Sequence, residues 1–84
     1  MWFLYIVRDK VDNLYTGVTT DIARRITEHN TGKGGGYTQA HRPVRLVYQE
    51  SCRSQSKALK RENQIKRWNR QKKLALISGI KIVK

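Results

Sequence analysis

The sequence predicts an α+β fold: a small three-stranded antiparallel sheet flanked by helices, in the order ββαβαα. Three observations point there. Residues 2–7 (WFLYIV) are apolar at both parities, as in a strand buried on both faces. A run of turn formers separates them from a second short strand, which makes a hairpin. Capping residues precede two later segments, and in a third, residues 54–68, apolar positions recur at three- and four-residue spacing.

Taken in order, residues 2–7 are the central strand of the sheet. Residues 9–13 (DKVDN) are turn chemistry, and 14–18 (LYTGV) return as the partner strand. Thr19, Thr20 and Asp21 supply a helix start, a capping hydroxyl with an acid in the first turn. That helix runs to about residue 30 and Gly32 ends it. Residues 33–38 (KGGGYT) are a basic connection whose glycines allow close approach to another backbone. After Pro43, Val44, Leu46 and Tyr48 alternate with Arg45 and Gln49, as in a strand exposed on one side. Residues 54–68 (SQSKALKRENQIKRW) read as a helix with Ala58, Leu59 and Ile65 on one stripe. Asn69 caps a last helix, RQKKLALIS, which Gly79 closes, and IKIVK is a loose end. Without an internal repeat or a long linker, residues 1–84 are expected to form a single domain.

Eighty-four residues bury only about 60–65% of their unfolded surface, so the core is modest. With 38% hydrophobic and 29% charged residues the chain is globular. No apolar stretch approaches the roughly 18 residues of a membrane span, and WFLYIV lacks the flanks of a signal peptide. Cys52 is the single cysteine, which excludes an internal disulfide and a multi-cysteine zinc site. A reducing cytoplasm is the expected setting. Eighteen basic residues against six acidic ones give a net charge of +12, which points to a polyanionic partner. The apolar stripe of the Glu62 helix is needed for the core and is not free to enter lipid. Nucleic acid therefore fits better than a membrane.

Within that basic background Glu62 stands out. It is the only acid from Ser51 onward, among eleven lysines and arginines, and at 100° per residue it falls within the apolar stripe of its helix. A carboxylate on a buried face needs a cationic partner, either a metal ion or a buried arginine. On the first helix, Ile22 and Ile26 mark the buried side. Arg25 and His29 lie one turn apart at its edge, while Arg24 points away. Tyr5 and Tyr15 occupy the two hairpin strands, where neighbouring residues already supply enough apolar surface for a core. Taken singly, each of these side chains has an ordinary structural explanation, a wet guanidinium or a core phenol. Together they make a pattern of two strand phenols followed by an arginine and a histidine on the next helix.

In that pattern the chain resembles the GIY-YIG endonuclease family, over residue 2 to about residue 77. The two signature triplets correspond to Phe3-Leu4-Tyr5 and Tyr15-Thr16-Gly17. The family's arginine, ten residues past the second tyrosine, corresponds to Arg25, the residue four positions later to His29, and the glutamate of a later helix to Glu62. Phe3 and Leu4 stand where the family has glycine and isoleucine, and Val18 where some repair members have lysine. The likeness is greatest to small stand-alone bacterial members.

The resemblance implies a metal-dependent DNA endonuclease with Tyr5 as base, Tyr15 as its partner or water-positioner, Arg25 as phosphate clamp and His29 as proton relay. Glu62 is then the protein ligand of one Mg²⁺ (or Mn²⁺) ion, whose other positions water and phosphate can fill. A free phenol titrates near 10, so Tyr5 needs help from Arg25, the metal or His29. Read without the family, Lys57, Lys60, Arg61, Lys66 and Arg67, with Lys33 in the glycine-rich connection, could track a phosphate backbone. No groove-reading helix is evident. The resemblance implies DNA more than RNA as substrate; without a groove-reading helix it is expected to be recognised by structure or damage with little sequence specificity, by a monomer whose specificity a protein partner could supply. The competing reading is a non-catalytic basic nucleic-acid-binding module on the same scaffold. His41 and Cys52 are read as incidental.

Overall fold

The computed structural model describes residues 1–31 and 43–79. Gly32, Lys33, the KGGGYT connection, His41 and the IKIVK tail lie outside them. The described residues form β1 (Trp2–Arg8), β2 (Leu14–Thr19), α1 (Ile22–Asn30), β3 (Arg45–Cys52), α2 (Gln55–Lys66) and α3 (Arg70–Ser78). Both pairings of the sheet are antiparallel and the strand order is β2-β1-β3. The doubly apolar first strand is therefore the central one, with Leu4, Ile6 and Val7 fully buried.

Alternate residues of β1 build two cores. Leu4 and Ile6 meet Ile65 of α2, with Leu14, Val18, Trp68 and Leu76 around them. Tyr5 and Val7 face the opposite way, against Val44, Tyr15 and the α1 residues Ile22 and Ile26. One face of the sheet thus carries α1 and the other carries α2 and α3. This division decides which side chains can meet.

Local chemistry sets the ends of the elements. In the hairpin turn, Asp9 Oδ1 accepts from the backbone N–H of Val11 at 2.9 Å and of Asn13 at 2.8 Å, and Asp12 takes a left-handed φ of 75°. Asp21 is itself the cap of α1, accepting from Arg24 N at 3.0 Å, while Thr19 Oγ1 accepts from Asp21 N. The expected roles of hydroxyl and acid are therefore exchanged. Ser54 and Asn69 cap α2 and α3 in the same way, and Gly79 closes α3 at φ 78°, an angle glycine adopts without steric cost. Asn30 staples the end of α1 to the start of β3. Its side chain accepts from Val44 N at 2.7 Å and donates to Val44 O at 3.1 Å.

Two expectations change. In β3 the register pairs Ile6 with Tyr48 but Val7 with Leu46, leaving Val47 as an extra residue. Such a bulge reverses side-chain parity. Val44 and Leu46 therefore share the α1 face, while Tyr48 turns to the other face and packs near Ile65. On α2, Ala58 and Ile65 are buried but Leu59 is 40% exposed. It sits 100° round the helix from Ala58, beyond the edge of the stripe. No helix among the described residues is long and apolar enough to cross a membrane.

Candidate active site

The β1–β2 register places Tyr5 directly across from Gly17. A Cβ at residue 17 would lie 2.5 Å from the Tyr5 hydroxyl oxygen and 2.7 Å from Cζ. The ring therefore lies across the backbone of β2, in space that only glycine leaves open. Gly17 serves here by its missing side chain rather than by an unusual backbone angle, since its φ is not positive.

The phenol then points toward α1. Its hydroxyl lies 3.2 Å from His29 Nε2, and the two rings meet edge-to-face at 63° with centroids 6.3 Å apart. Tyr5 and His29 are both buried. Burial lowers the pKa of His29, and the positive charge of Arg25 lowers it further, with Glu28 opposing in part. The imidazole is thus neutral near pH 7 and can accept a proton. Arg25 lies one turn before His29, half-buried, with Nη1 3.2 Å from Glu28 Oε1. Hydrogen bonding to the Tyr5 hydroxyl is the largest influence on its guanidinium and raises its pKa; burial opposes this, and Glu28 adds to it. Arg24 is exposed, as the helical wheel requires.

Tyr15 is on the same face. Its hydroxyl donates to Asp9 Oδ2 at 2.9 Å. Burial alone would raise the pKa of Asp9, but hydrogen bonds from Asn13, Tyr15 and Val11 outweigh it and hold the carboxyl below its usual value. Asp9 thus joins the turn to the second phenol, a role the DKVDN string did not disclose beyond its turn chemistry. The Tyr5–Gly17 contact was likewise hidden until the register was known.

Glu62 lies apart from this group. It is half-buried on α2, and its Oε2 is 3.3 Å from Lys66 Nζ one turn on. Because Ile65 of the same helix packs on Leu4 and Ile6, α2 covers the face opposite Tyr5. Arg25 pairs with Glu28 and Glu62 with Lys66, so a Glu62–Arg25 ion pair is not what stabilises the acid. No group of three or more His, Cys, Asp or Glu side chains suited to a metal occurs among the described residues. One carboxylate is nonetheless the donor set a largely hydrated Mg²⁺ accepts, and only one oxygen of Glu62 is drawn to Lys66. The side chain fits a single-ligand site.

The basic residues divide. Lys57 and Lys60 are exposed on α2, and Arg67 at its C-cap. Lys66 is exposed beside Glu62. Arg61 is committed: Nε donates to Glu50 Oε1 at 2.6 Å and Nη1 to Gln64 at 2.7 Å, and its guanidinium stacks 5.3 Å over Trp68. Tyr48 donates to the other Glu50 oxygen at 2.5 Å. Glu50, on β3, is the feature the sequence reading passed over.

Comparison with known proteins places this fold among catalytic nuclease domains. The GIY-YIG catalytic domain matches residues 1–75, and the chain belongs to that family, whose members are nucleases acting on nucleic acid, in general with a divalent metal. It is 55% identical over 76 residues to a UPF0213 protein of Staphylococcus saprophyticus, covering 90% of this chain and 93% of the relative. It is 54% identical over 79 residues to a UPF0213 protein of Desulfotalea psychrophila, covering 93% of this chain and 72% of that one. The fold is similar to the solution NMR structure of a UPF0213 protein from Bacillus halodurans, with a TM-score of 0.60 at 40% identity over 93% of this chain and 84% of the other.

Proposed function

We propose that this protein is a Mg²⁺-dependent endonuclease that hydrolyses phosphodiester bonds in DNA, directed by DNA structure or damage with little sequence readout. The observation that carries the proposal is the buried Tyr5–His29 contact at 3.2 Å with Arg25 beside it. A core needs neither an imidazole nor a guanidinium against a buried phenol, whereas a phosphodiesterase needs a base and a cation there.

In this reading neutral His29 takes the proton of the Tyr5 hydroxyl, and Tyr5 acts as base toward the attacking water. Arg25 binds the phosphate oxygens as charge develops on them. Tyr15, fixed by Asp9, positions the water. Glu62 would hold the divalent ion, which supplies charge neutralisation at the phosphate and the leaving oxygen. The substrate phosphate would then lie at the β2 edge of the sheet, with Tyr5 and Arg25 on one side and Glu62 on the other. Exposed Lys57, Lys60, Lys66 and Arg67 support flanking backbone, and Lys33 is assigned the same role from the sequence alone. A monomer in the cytoplasm, with a protein partner able to add specificity, completes the reading.

The test is a cleavage panel over duplex, nicked, flap, branched and single-stranded DNA, and RNA, with and without Mg²⁺. The parent protein should cut at least one DNA form. Glu62→Ala and Arg25→Ala should not, though both should still bind. Equal cleavage by Glu62→Ala would remove the metal-ligand assignment. Salt-sensitive binding with no cleavage of any substrate would leave the protein a non-catalytic binding module.

A further inference from the structure

Beside the hairpin turn, β1 and β3 meet in a pair that should repel. The register sets Arg8 directly across from Arg45, and like charges facing one another across a ladder destabilise it. Lys10 joins them in lining a cleft of about 410 Å³ at this end of the sheet, which is in the size range of small-ligand sites. Two carboxylates also border the cleft, but both are engaged. Asp9 accepts from Val11, Asn13 and Tyr15. Asp12 Oδ2 accepts from Arg70 at 3.0 Å. Asp12 Oδ1 lies 2.9 Å from Arg8 Nε, close enough for an ion pair but out of line with the N–H. That Nε is buried and has no hydrogen-bond acceptor among the described residues, an arrangement that normally costs stability.

We propose that this cleft binds a backbone phosphate of the nucleic-acid strand, clamped between Arg8 and Arg45 with Lys10 at its rim. An anion between two guanidinium groups turns their repulsion into attraction, and the planar fork of arginine matches phosphate oxygens. The identity of the occupant rests on the nuclease reading. Arg8 lies three residues beyond Tyr5 on β1, an odd separation that turns its side chain to the face opposite the Tyr5 phenol. The cleft would therefore grip backbone at the hairpin end of the sheet, away from the bond being cut. Asp9, which borders the cleft, also holds the Tyr15 hydroxyl, so the clamp and the site share a wall.

The experiment follows the Arg8 Nε–H by NMR in the full chain, during titration with inorganic phosphate and, separately, with a short DNA duplex at matched ionic strength. Arg45→Gln is the comparison protein, and the slope of log binding constant against log salt is measured for both. Arg45 is exposed at the start of β3, and its replacement relieves repulsion, so the variant should melt no lower than the parent. The Nε–H signal should shift with both titrants in the parent and much less in Arg45→Gln. The salt slope should fall by about 0.9 in the variant, the value of one lost phosphate contact. A shift with inorganic phosphate but an unchanged slope would overturn the strand assignment in favour of a small-anion site. No shift with either titrant would overturn the cleft. These signatures without cleavage of any substrate would uphold the clamp while overturning the enzymatic reading.

Discussion

His29 is buried beside a guanidinium, and both conditions disfavour the imidazolium. Two pH effects follow with defined signs. If neutral His29 receives the Tyr5 proton, kcat/KM should fall as pH drops through a pKa below the ordinary 6.5, approaching tenfold per unit on the acid side. An acid limb centred above 6.5 would contradict this. Stability should follow the same group. Above 6.5 the residue is neutral in both folded and unfolded chains, and below it the unfolded chain takes up the proton first, so stability declines until folded His29 also protonates. Melting temperatures of the parent and His29→Gln across pH 5–8 should differ in slope in that window. Glu62 gives a contrasting expectation. Its partner Lys66 is 54% exposed, so the pair contributes only about 0.3–0.5 kcal/mol. Glu62→Ala should therefore abolish cleavage with hardly any change in melting temperature, whereas a loss of several kcal/mol would mark the acid as structural. Helical periodicity is rigid, so spacing placed Arg25 and His29 at the edge of the buried side of α1 and Glu62 within the stripe of α2, while their site roles came only with the family resemblance. Glu50 could not be placed in this way. A single acid in a strand shows no sign of a partner eleven residues away until β3 is paired and α2 docked over it.

At the scale of elements, the hairpin register does most to build the site. Opposing Gly17 to Tyr5 lets the ring lie across β2 and project toward His29. Gly17→Ala would put a methyl 2.5 Å from the Tyr5 hydroxyl oxygen and 2.7 Å from its Cζ, forcing the phenol away from the imidazole. Displacements near 1 Å can cost on the order of 10²-fold in rate. The variant should retain its circular dichroism and lose kcat on that scale, and near-parental kcat would show that the ring position is not used. The hairpin was legible in the sequence because turn formers interrupt two apolar runs. The β3 bulge was not, since Val44, Leu46 and Tyr48 read as a clean alternation. Nothing in RLVYQ announces that Val47 is an extra residue. Its consequence is structural: Tyr48 leaves the α1 face and joins Glu50 and Arg61, while Val44 stays to be stapled by Asn30. Leu59 misled for a related reason, because proximity in sequence to Ala58 is not proximity on a helix.

For the molecule as a whole, a charge of +12 predicts a strong salt dependence of nucleic-acid binding, but not every cation contributes equally. Lys57 and Lys60 of α2 and Arg67 at its C-cap are exposed to solvent. Arg61 is drawn to Glu50 and Trp68, Arg70 to Asp12, and Lys72 lies 4.5 Å over Trp68. Neutralising Lys57, Lys60 and Arg67 together should flatten the log–log salt slope for duplex DNA by up to about 2.7, three contacts at about 0.9 each, with little effect on melting temperature. Arg61→Gln should do the reverse. It leaves the half-buried Glu50 carboxylate without its cation, at a cost of about 1–3 kcal/mol, and barely changes the slope. Measuring slope and melting temperature on the same proteins separates cations that face substrate from those that hold α2 to β3. A triple variant with the parental slope would move the DNA off α2, leaving the hairpin end of the sheet, with Arg8 and Arg45, as the principal basic surface.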